Sequence, residues 1–166
     1  MAIPHPNEDA VTMAVEAASS LLKRYDVDRS RIGLLIVGSE TGVDAAKPIA
    51  AYVHGLLCLP SMCRTFDTKH ACYSATAALK LAREWCAGSG RGRKALVIAT
   101  DIAQYETGSP GEPTQGAGAV AMLVGDAAAV FVFDAFPEAY YTKHVMDFWR
   151  PNYRSTALVD GPLARW

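Results

Sequence analysis

The sequence lacks the features that mark secreted, membrane-spanning and nucleic-acid-binding proteins. Its 166 residues carry 16 Lys and Arg against 17 Asp and Glu, so no excess of charge predicts binding to nucleic acid or to an anionic membrane. No apolar run reaches the ~18 residues that a membrane-spanning helix needs. The first ten residues, MAIPHPNEDA, contain prolines and acids rather than a basic segment and an apolar one. We therefore expect no signal peptide and a cytoplasmic protein.

The cysteines are few and show no metal-binding spacing. They are Cys58, Cys63, Cys72 and Cys86, and no second Cys or His pair of zinc type accompanies them. Without a secretory signal, free thiols are favoured over disulfides, and Cys58, Cys63 and Cys86 are interpreted as buried thiols. The glycines at 116–118 precede an apolar run rather than a helix, and no P-loop lysine is present. No metal or nucleotide site is therefore expected.

Hydrophobic patterning predicts one α/β domain over residues 1–166. Helical periodicity runs through AVTMAVEAASSLLKRY, which Asn7 or Asp9 can cap, and through DAAKPIAAYVHGLLCL and SATAALKLAREWCAG. The second of these helices is expected to begin near Ala45 or Ala46, with Pro48 in its first turn.

The strand patterns alternate with these helices. IGLLIVGSE and KALVIATDIA are continuous apolar runs, typical of strands that are covered on both faces. CRTFDT reads as a shorter strand, and AVAMLVG and AAVFVFDAF read as a final pair. We expect a mixed sheet with helices on both faces and antiparallel pairing at one side.

Cys72 stands just before or within the first turn of the third helix, in TKHACYSATAALKLA. A thiol at that position meets the positive end of the helix dipole and free backbone N–H groups, which favour the nucleophilic thiolate. The same N–H groups can stabilise an oxyanion on a bound acyl group. The alternative is a buried structural cysteine, and position alone does not decide between the two.

Glu40 follows the buried run LLIVGS, where α/β sheets place their ligands. Desolvation there would raise the pKa of Glu40 towards values useful for proton transfer. The alternatives are a helix N-cap or a solvated loop acid. A second candidate segment is GSPGEPTQGAGAVAM, which is longer and richer in glycine than a simple connection needs.

Taken together, the motifs resemble the bacterial hydroxymethylglutaryl-CoA synthase family. GSETGVDAAK, KHACYSATAALKLA, ALVIATDIAQYETGSPGEPTQGAGAVAMLVG and DFWRP…LVDG occur in the family's order across residues 7–161. The resemblance implies a thiolase-like fold, of which this chain forms roughly one of the two α/β halves. It also implies a condensing acyltransferase that joins acetyl-CoA, acetoacetyl-CoA and water into 3-hydroxy-3-methylglutaryl-CoA and CoA, with no cofactor beyond these CoA thioesters.

The resemblance also implies roles for individual residues. Cys72 resembles the nucleophile that takes the acetyl group as a thioester, and Glu40 resembles the general acid/base. Thr114 resembles a residue that contacts the acyl substrate, and Tyr105 is expected near the same pocket. Ser109 falls close to a substrate-binding Asn of animal relatives, in a loop that is one residue longer here.

Parts of the family pattern lie outside this sequence. The first strand, the catalytic His and the lysines that hold the CoA phosphates are not matched, and Ala164 stands where the family has Ser. We expect a homodimer or a complementing C-terminal half, because a lone half would expose apolar surface. The expected role is the mevalonate pathway of isoprenoid biosynthesis. The alternatives are a β-branching synthase that acts on carrier-protein-bound β-ketoacyl groups in polyketide assembly, and a non-catalytic thiolase-like partner subunit.

Overall fold

A four-stranded mixed sheet forms the centre of the computed structural model, which describes residues 2–127, 129–133 and 138–159. The strands are β1 (Ile32–Gly38), β2 (Arg64–Thr68), β3 (Lys94–Ala103) and β4 (Gly116–Val124), in the spatial order β2-β1-β3-β4. β1 pairs in parallel with β2 and with β3, and β4 runs antiparallel to β3. The predicted α/β class, the mixed sheet and the antiparallel edge are confirmed.

Helices cover both faces of this sheet, as predicted. They are α1 (Ala10–Arg24), α2 (Ile49–Leu56) and α3 (Ser74–Ala87). α1 and α2 share one apolar cluster with the sheet, and α3 shares another on the opposite face. The crossovers from β1 to β2 and from β2 to β3 run in opposite directions, so right-handed connections place α2 and α3 on opposite faces. Within the described ranges, none of the helices combines the length and apolarity that crossing a bilayer requires.

β1 is buried along its whole length, which explains its continuous apolar sequence. Leu35 and Val37 point into the α1/α2 cluster, whereas Leu34 and Ile36 point into the α3 cluster. A register shift between β1 and β3 falls at 32–34. The two-sided burial fixes the register of the strand and therefore the position of the residues that follow it.

α1 begins at the predicted cap. The Asp9 carboxylate accepts a hydrogen bond from the Thr12 N–H at 2.7 Å, and the Thr12 hydroxyl accepts one from the Asp9 N–H at 2.8 Å. This reciprocal pair is a capping box. Asp9, rather than Asn7, is therefore the N-cap.

α2 begins later than predicted. It starts at Ile49 with Pro48 as N-cap, not at 45–46. The Asp67 carboxylate, on β2, accepts hydrogen bonds from the N–H groups of Ile49 at 2.6 Å and Ala50 at 2.9 Å. Because a residue distant in sequence satisfies these N–H groups, the start of the helix is set by tertiary contact rather than by the local pattern.

The predicted strand AAVFVFDAF is wrong over its described part. Residues 129–133 form no strand, Val130 and Val132 are each 80% exposed, and 128 and 134–136 lie outside the described residues. A continuous apolar run forms a strand only where a neighbouring strand can pair with its backbone. Instead, two short strands that were not predicted, β5 (Phe148–Trp149) and β6 (Leu158–Val159), pair antiparallel further along the chain.

Candidate active site

The carboxyl ends of β1, β2 and β3 meet at one edge of the sheet. Glu40 lies two residues after the end of β1, and Cys72 lies four residues after the end of β2. Because β4 runs antiparallel to β3, with Ala103 opposite Gly116, the connecting loop 104–115 lies at this edge as well. The two crossovers leave β1 and β2 in opposite directions here, which is where open α/β sheets bind ligands.

Cys72 lies in a 3-10 turn, Ala71–Tyr73, directly before α3. Its side chain is exposed, so the alternative of a buried structural cysteine is wrong. Ala71 has a φ of +38°, a left-handed conformation that costs free energy for a residue with a side chain. The turn therefore presents the Cys72 thiol to solvent at the expense of local backbone strain.

Two hydroxyl groups hold the start of α3 in place. The Thr68 hydroxyl, at the end of β2, donates to the Ser74 carbonyl at 2.9 Å, and the Ser74 hydroxyl donates to the Ala71 carbonyl at 3.0 Å. At the end of β1, a Cβ on Gly38 would lie 2.6 Å from the Ala75 backbone nitrogen. Only glycine allows this approach, which brings the helix start beside the strand that leads to Glu40.

Glu40 is half-buried at the end of β1. Burial raises the pKa of its carboxyl, the negative charge of Asp101 raises the pKa further, and the positive charge of Arg150 opposes both effects. The N-cap alternative is excluded because α2 begins at Ile49, with Pro48 as its N-cap. Glu40 therefore has the environment expected of a group that exchanges protons.

Asp101, which sequence reasoning missed, organises the segment around Glu40. Its Oδ1 atom accepts hydrogen bonds from the Ser39 hydroxyl at 3.0 Å, the Glu40 N–H at 2.8 Å and the Thr41 hydroxyl at 2.9 Å. It also stands near the end of a buried strand, β3. Like Glu40, Asp101 is an acid at the carboxyl end of a central strand, and this sequence signal would have found it.

The loop 104–115 carries the three residues that were predicted to bind substrate. The Tyr105 ring packs over Gly111 so closely that a side chain there would clash, and the Thr114 hydroxyl donates to the Gly111 carbonyl at 2.7 Å. The Ser109 hydroxyl oxygen is buried and has no hydrogen-bond partner within the described part of the chain. Tyr105, Ser109 and Thr114 thus lie at the same edge as Glu40 and Cys72, and their contact with a substrate stays a prediction.

A hairpin formed by residues 148–159, with β5 and β6 as its strands, docks on this loop. The Ala157 N–H donates to the Gln104 carbonyl at 2.8 Å, and the Phe148 and Tyr105 ring centroids lie 6.4 Å apart. Glu106 on the loop also forms an ion pair with Arg154 at 2.7 Å. The hairpin is therefore part of the edge that carries the candidate residues.

The other cysteines divide into two groups. Cys63 and Cys86 are buried as predicted, and burial raises the pKa of the Cys63 thiol to about 11. Cys58 is exposed, so its predicted burial is wrong. It follows the end of α2 with a φ of +49°, which turns the chain and leaves the side chain outside the core. Among the described residues, no three His, Cys, Asp or Glu side chains converge as metal ligands do.

A cavity of about 1080 Å³ lies at the opposite edge of the sheet. Its lining includes Arg24 at the end of α1, Lys94 at the start of β3, and Phe131. The candidate residues follow the other ends of the parallel strands, so this cavity is separate from them.

The chain is similar to known proteins over most of its length. Residues 1–129 match the family model described as Hydroxymethylglutaryl-coenzyme A synthase N terminal. The chain is 41% identical to the hydroxymethylglutaryl-CoA synthase of Enterococcus faecalis over 99% of this chain and 42% of that protein. It is also 41% identical to the polyketide biosynthesis 3-hydroxy-3-methylglutaryl-ACP synthase PksG of Bacillus subtilis, over 90% of this chain and 39% of that protein.

Solved structures agree in fold. MvaS in complex with 3-hydroxy-3-methylglutaryl coenzyme A superposes with a TM-score of 0.94 at 50% identity, over 99% of this chain and 40% of that one. The curacin pathway HMG synthase in complex with acetyl donor-ACP superposes with a TM-score of 0.90 at 41% identity, over 98% of this chain and 40% of that one. The chain spans about two fifths of the length of these relatives.

Proposed function

Because this chain belongs to the hydroxymethylglutaryl-CoA synthase family, we propose that it carries the acyl-accepting part of a condensing acyltransferase. The overall reaction joins acetyl-CoA, acetoacetyl-CoA and water into 3-hydroxy-3-methylglutaryl-CoA and free CoA. The fold is that of the N-terminal part of these synthases, a thiolase-like half with a mixed sheet between helices. The proposed unit is a single partial domain, residues 1–166, that works with a further domain.

In the first step the Cys72 thiolate attacks the carbonyl carbon of acetyl-CoA. The carbon–sulfur bond to CoA breaks, and CoA leaves as its thiolate while the acetyl group stays on Cys72 as a thioester. The exposed thiol in the turn before α3 supports this assignment. The positive end of the α3 dipole, directly after the Cys72 turn, favours the oxyanion that forms during the attack.

In the second step Glu40 removes a proton from the methyl group of acetyl-Cys72. The resulting enolate forms a carbon–carbon bond to the ketone carbon of acetoacetyl-CoA, and the new alkoxide takes up a proton, for which Glu40 is the proposed donor. Water then hydrolyses the thioester to Cys72 and releases the product. The observation that carries this proposal is the close approach of Gly38 to Ala75, which sets the start of α3 beside the strand that leads to Glu40.

The loop 104–115 is the proposed acyl-binding side of the site. Tyr105 contributes a phenol ring, and Ser109 and Thr114 contribute two aliphatic hydroxyl groups, at the edge that carries Glu40 and Cys72. A small number of polar groups beside an apolar surface is the usual composition of a small-molecule site. No cofactor beyond the CoA thioesters is proposed.

In a second candidate function, the acetyl group on Cys72 condenses with a β-ketoacyl group bound to a carrier protein instead of with acetoacetyl-CoA. The relatives named for polyketide biosynthesis and for curacin biosynthesis match at 41% identity, as does the relative from E. faecalis, so identity does not favour the carrier-protein reaction. We keep the CoA reaction, the mevalonate pathway and a cytoplasmic location as the main proposal. A non-catalytic partner subunit is the third candidate.

Acetyl transfer to Cys72 tests the enzymatic proposals. The protein is incubated with isotopically labelled acetyl-CoA, alone and with a C-terminal half from a family member, digested, and analysed by mass spectrometry. We expect label on the Cys72 peptide, its loss in Cys72→Ala, and its retention in Cys58→Ala, which removes the other exposed thiol. Absence of label on Cys72 under both conditions would overturn the enzymatic proposals in favour of the partner subunit.

The proposed partner is a second copy of this chain or a complementing C-terminal half. Several large apolar side chains are exposed, including Val130, Val132 and Tyr141, at 80%, 80% and 87%, and surface of this kind commonly marks a contact site. Sedimentation of the isolated chain should therefore give a dimer or larger species. A monodisperse monomer would count against the homodimer.

A further inference from the structure

Thr41 directly follows Glu40, and none of the steps above gives its side chain a role. We propose that Thr41 is a positioning residue, whose hydroxyl group ties the segment that carries Glu40 to β3. The inference rests on the proposed function of Glu40 as the acid/base. Its test compares two steps of the reaction, only one of which uses Glu40, so its failure differs from a failure of the proposed function.

The Thr41 hydroxyl bridges two groups of β3. It donates a hydrogen bond to the Asp101 carboxylate at 2.9 Å and accepts one from the Ile102 N–H at 3.0 Å. A hydroxyl group can do both at once, because it carries one donor and two acceptor sites. The backbone pairing of β1 with β3 ends at Gly38 and Ala99. The Thr41 side chain therefore continues the connection between the two chain segments beyond the end of that pairing.

The Ser39 hydroxyl completes this network on the other side of Glu40. It accepts a hydrogen bond from the Thr41 N–H at 3.0 Å and donates to the same Asp101 carboxylate oxygen at 3.0 Å. The Glu40 N–H donates to that oxygen as well, at 2.8 Å. Ser39 is buried, so its hydrogen bonds are shielded from competition with water. The backbone at Glu40 is thus held from both sides by hydroxyl groups that meet on one carboxylate.

A separate connection leads from this segment to the turn of Cys72. The Ser39 N–H donates to the Thr68 carbonyl at 3.2 Å, and the Thr68 hydroxyl donates to the first carbonyl of α3 at 2.9 Å. β2 therefore joins the segment to the turn that carries the nucleophile, whereas Thr41 joins it to β3. Loss of the Thr41 hydroxyl should consequently disturb Glu40 much more than Cys72.

Thr41→Val tests this expectation, because valine is β-branched like threonine but has no hydroxyl group. The Ile102 N–H loses its acceptor and Asp101 loses one of its donors. Small displacements of a reacting group can cost about 100-fold in rate. We expect exchange of the acetyl hydrogens for deuterium, the step that uses Glu40, to slow by about 10- to 100-fold. Acetyl transfer to Cys72 should stay close to the wild-type rate.

Both steps are measured in one experiment. Each variant is incubated with acetyl-CoA in D₂O together with a complementing C-terminal half, and the mass of the Cys72 peptide gives the extent of acetylation and of deuterium uptake. Thr41→Ser keeps the hydroxyl group and should restore deuterium uptake. Thr100→Val is the matched control, since it removes the hydroxyl that donates to the Ala10 carbonyl at 2.8 Å on the α1 side of β3. It should leave both steps unchanged.

Amide hydrogen exchange adds a readout that needs no reaction. The N–H groups of Glu40 and Ile102 should exchange faster in Thr41→Val than in the wild type, and at the wild-type rate in Thr100→Val.

Three results would overturn the proposal. They are wild-type deuterium uptake in Thr41→Val, an equal slowing of acetyl transfer and deuterium uptake in that variant, and an equal loss of uptake in Thr100→Val. If the wild-type acetyl group itself gains no deuterium, the proposed function of Glu40 fails, and the inference that rests on it fails too.

Discussion

The backbone N–H of Glu40 donates a hydrogen bond of 2.8 Å to the carboxylate of Asp101. Burial raises the pKa of the Glu40 carboxyl, and Asp101, which also fixes the chain at Glu40, raises that pKa further. Carboxyl groups with a raised pKa are common at functional sites. The hydrogen bond links the ends of two neighbouring parallel strands, β1 and β3.

The raised pKa of Glu40 makes stability depend on pH with a definite sign. Between the ordinary pKa and the raised one, the folded chain binds more protons than the unfolded chain. The contribution of Glu40 to stability therefore falls as pH rises through that interval. We expect Glu40→Gln, which stays neutral, to be more stable relative to wild type at pH 7 than at pH 4, as measured by urea unfolding.

Glu84→Gln is the matched control for this comparison, because Glu84 is exposed on α3 and its removal changes the net charge by the same amount. A stability difference that grows equally with pH in both variants would mean that net charge, not the site, causes the effect.

Gly38→Ala should separate the start of α3 from the end of β1. The added Cβ would lie 2.6 Å from the Ala75 nitrogen, and backbone cannot yield as a flexible side chain does. We expect a loss of about 1–3 kcal/mol in the free energy of unfolding and slower acetyl transfer to Cys72. Gly118→Ala, where a Cβ meets nothing within 4 Å, should leave acetyl transfer unchanged. Equal acetyl-transfer rates in Gly38→Ala and wild type would count against the role given to this contact.

Asp67→Ala should loosen α2 by removing its cap. Two N–H groups, those of Ile49 and Ala50, lose their acceptor, which costs about 1–2 kcal/mol for a helix cap. Urea unfolding measures the loss, and hydrogen exchange should be faster at both N–H groups. Asp67→Asn keeps one acceptor oxygen and should fall between Asp67→Ala and wild type. An Asp67→Ala variant as stable as wild type would show that α2 has no need of this cap.

The four thiols should react with iodoacetamide in two groups. Cys58 and Cys72 are exposed, whereas Cys63 and Cys86 are buried and burial raises the pKa of both. Since the thiolate is the reactive form, Cys58 and Cys72 should be alkylated rapidly and the other two only on unfolding. Peptide mass spectrometry over time measures each rate. Rapid alkylation of Cys63 in the folded chain would contradict its burial.

Local patterns predicted most of the sheet and the helices. β1 and β3 have continuous apolar sequences because both of their faces are covered, and Asp9 caps α1 from within its own capping box. The start of α2 and the network of Asp101 depend instead on residues distant in sequence, so no local pattern encodes them. Residues 129–133 have the pattern of a strand but no neighbouring strand to pair with, as far as the described chain extends.

The candidate site was also predicted only in part. Glu40 was singled out because it follows a buried strand, and Cys72 because it stands at the start of a helix. The structure places both at the same edge of the sheet. The hairpin 148–159 was missed because its short strands have no recognisable periodicity. Its position follows from contacts with the loop 104–115, which only the folded chain brings together.

The central claim is that Cys72 and Glu40 act on the same acetyl group, and deuterium exchange tests it most directly. The chain is acetylated with acetyl-CoA in D₂O, together with a complementing C-terminal half, and the mass of the Cys72 peptide is followed. We predict that the acetyl group gains deuterium in the wild type, and that Glu40→Gln is acetylated but gains none. Equal deuterium uptake in Glu40→Gln, or a failure of that variant to accept acetyl, would contradict the account.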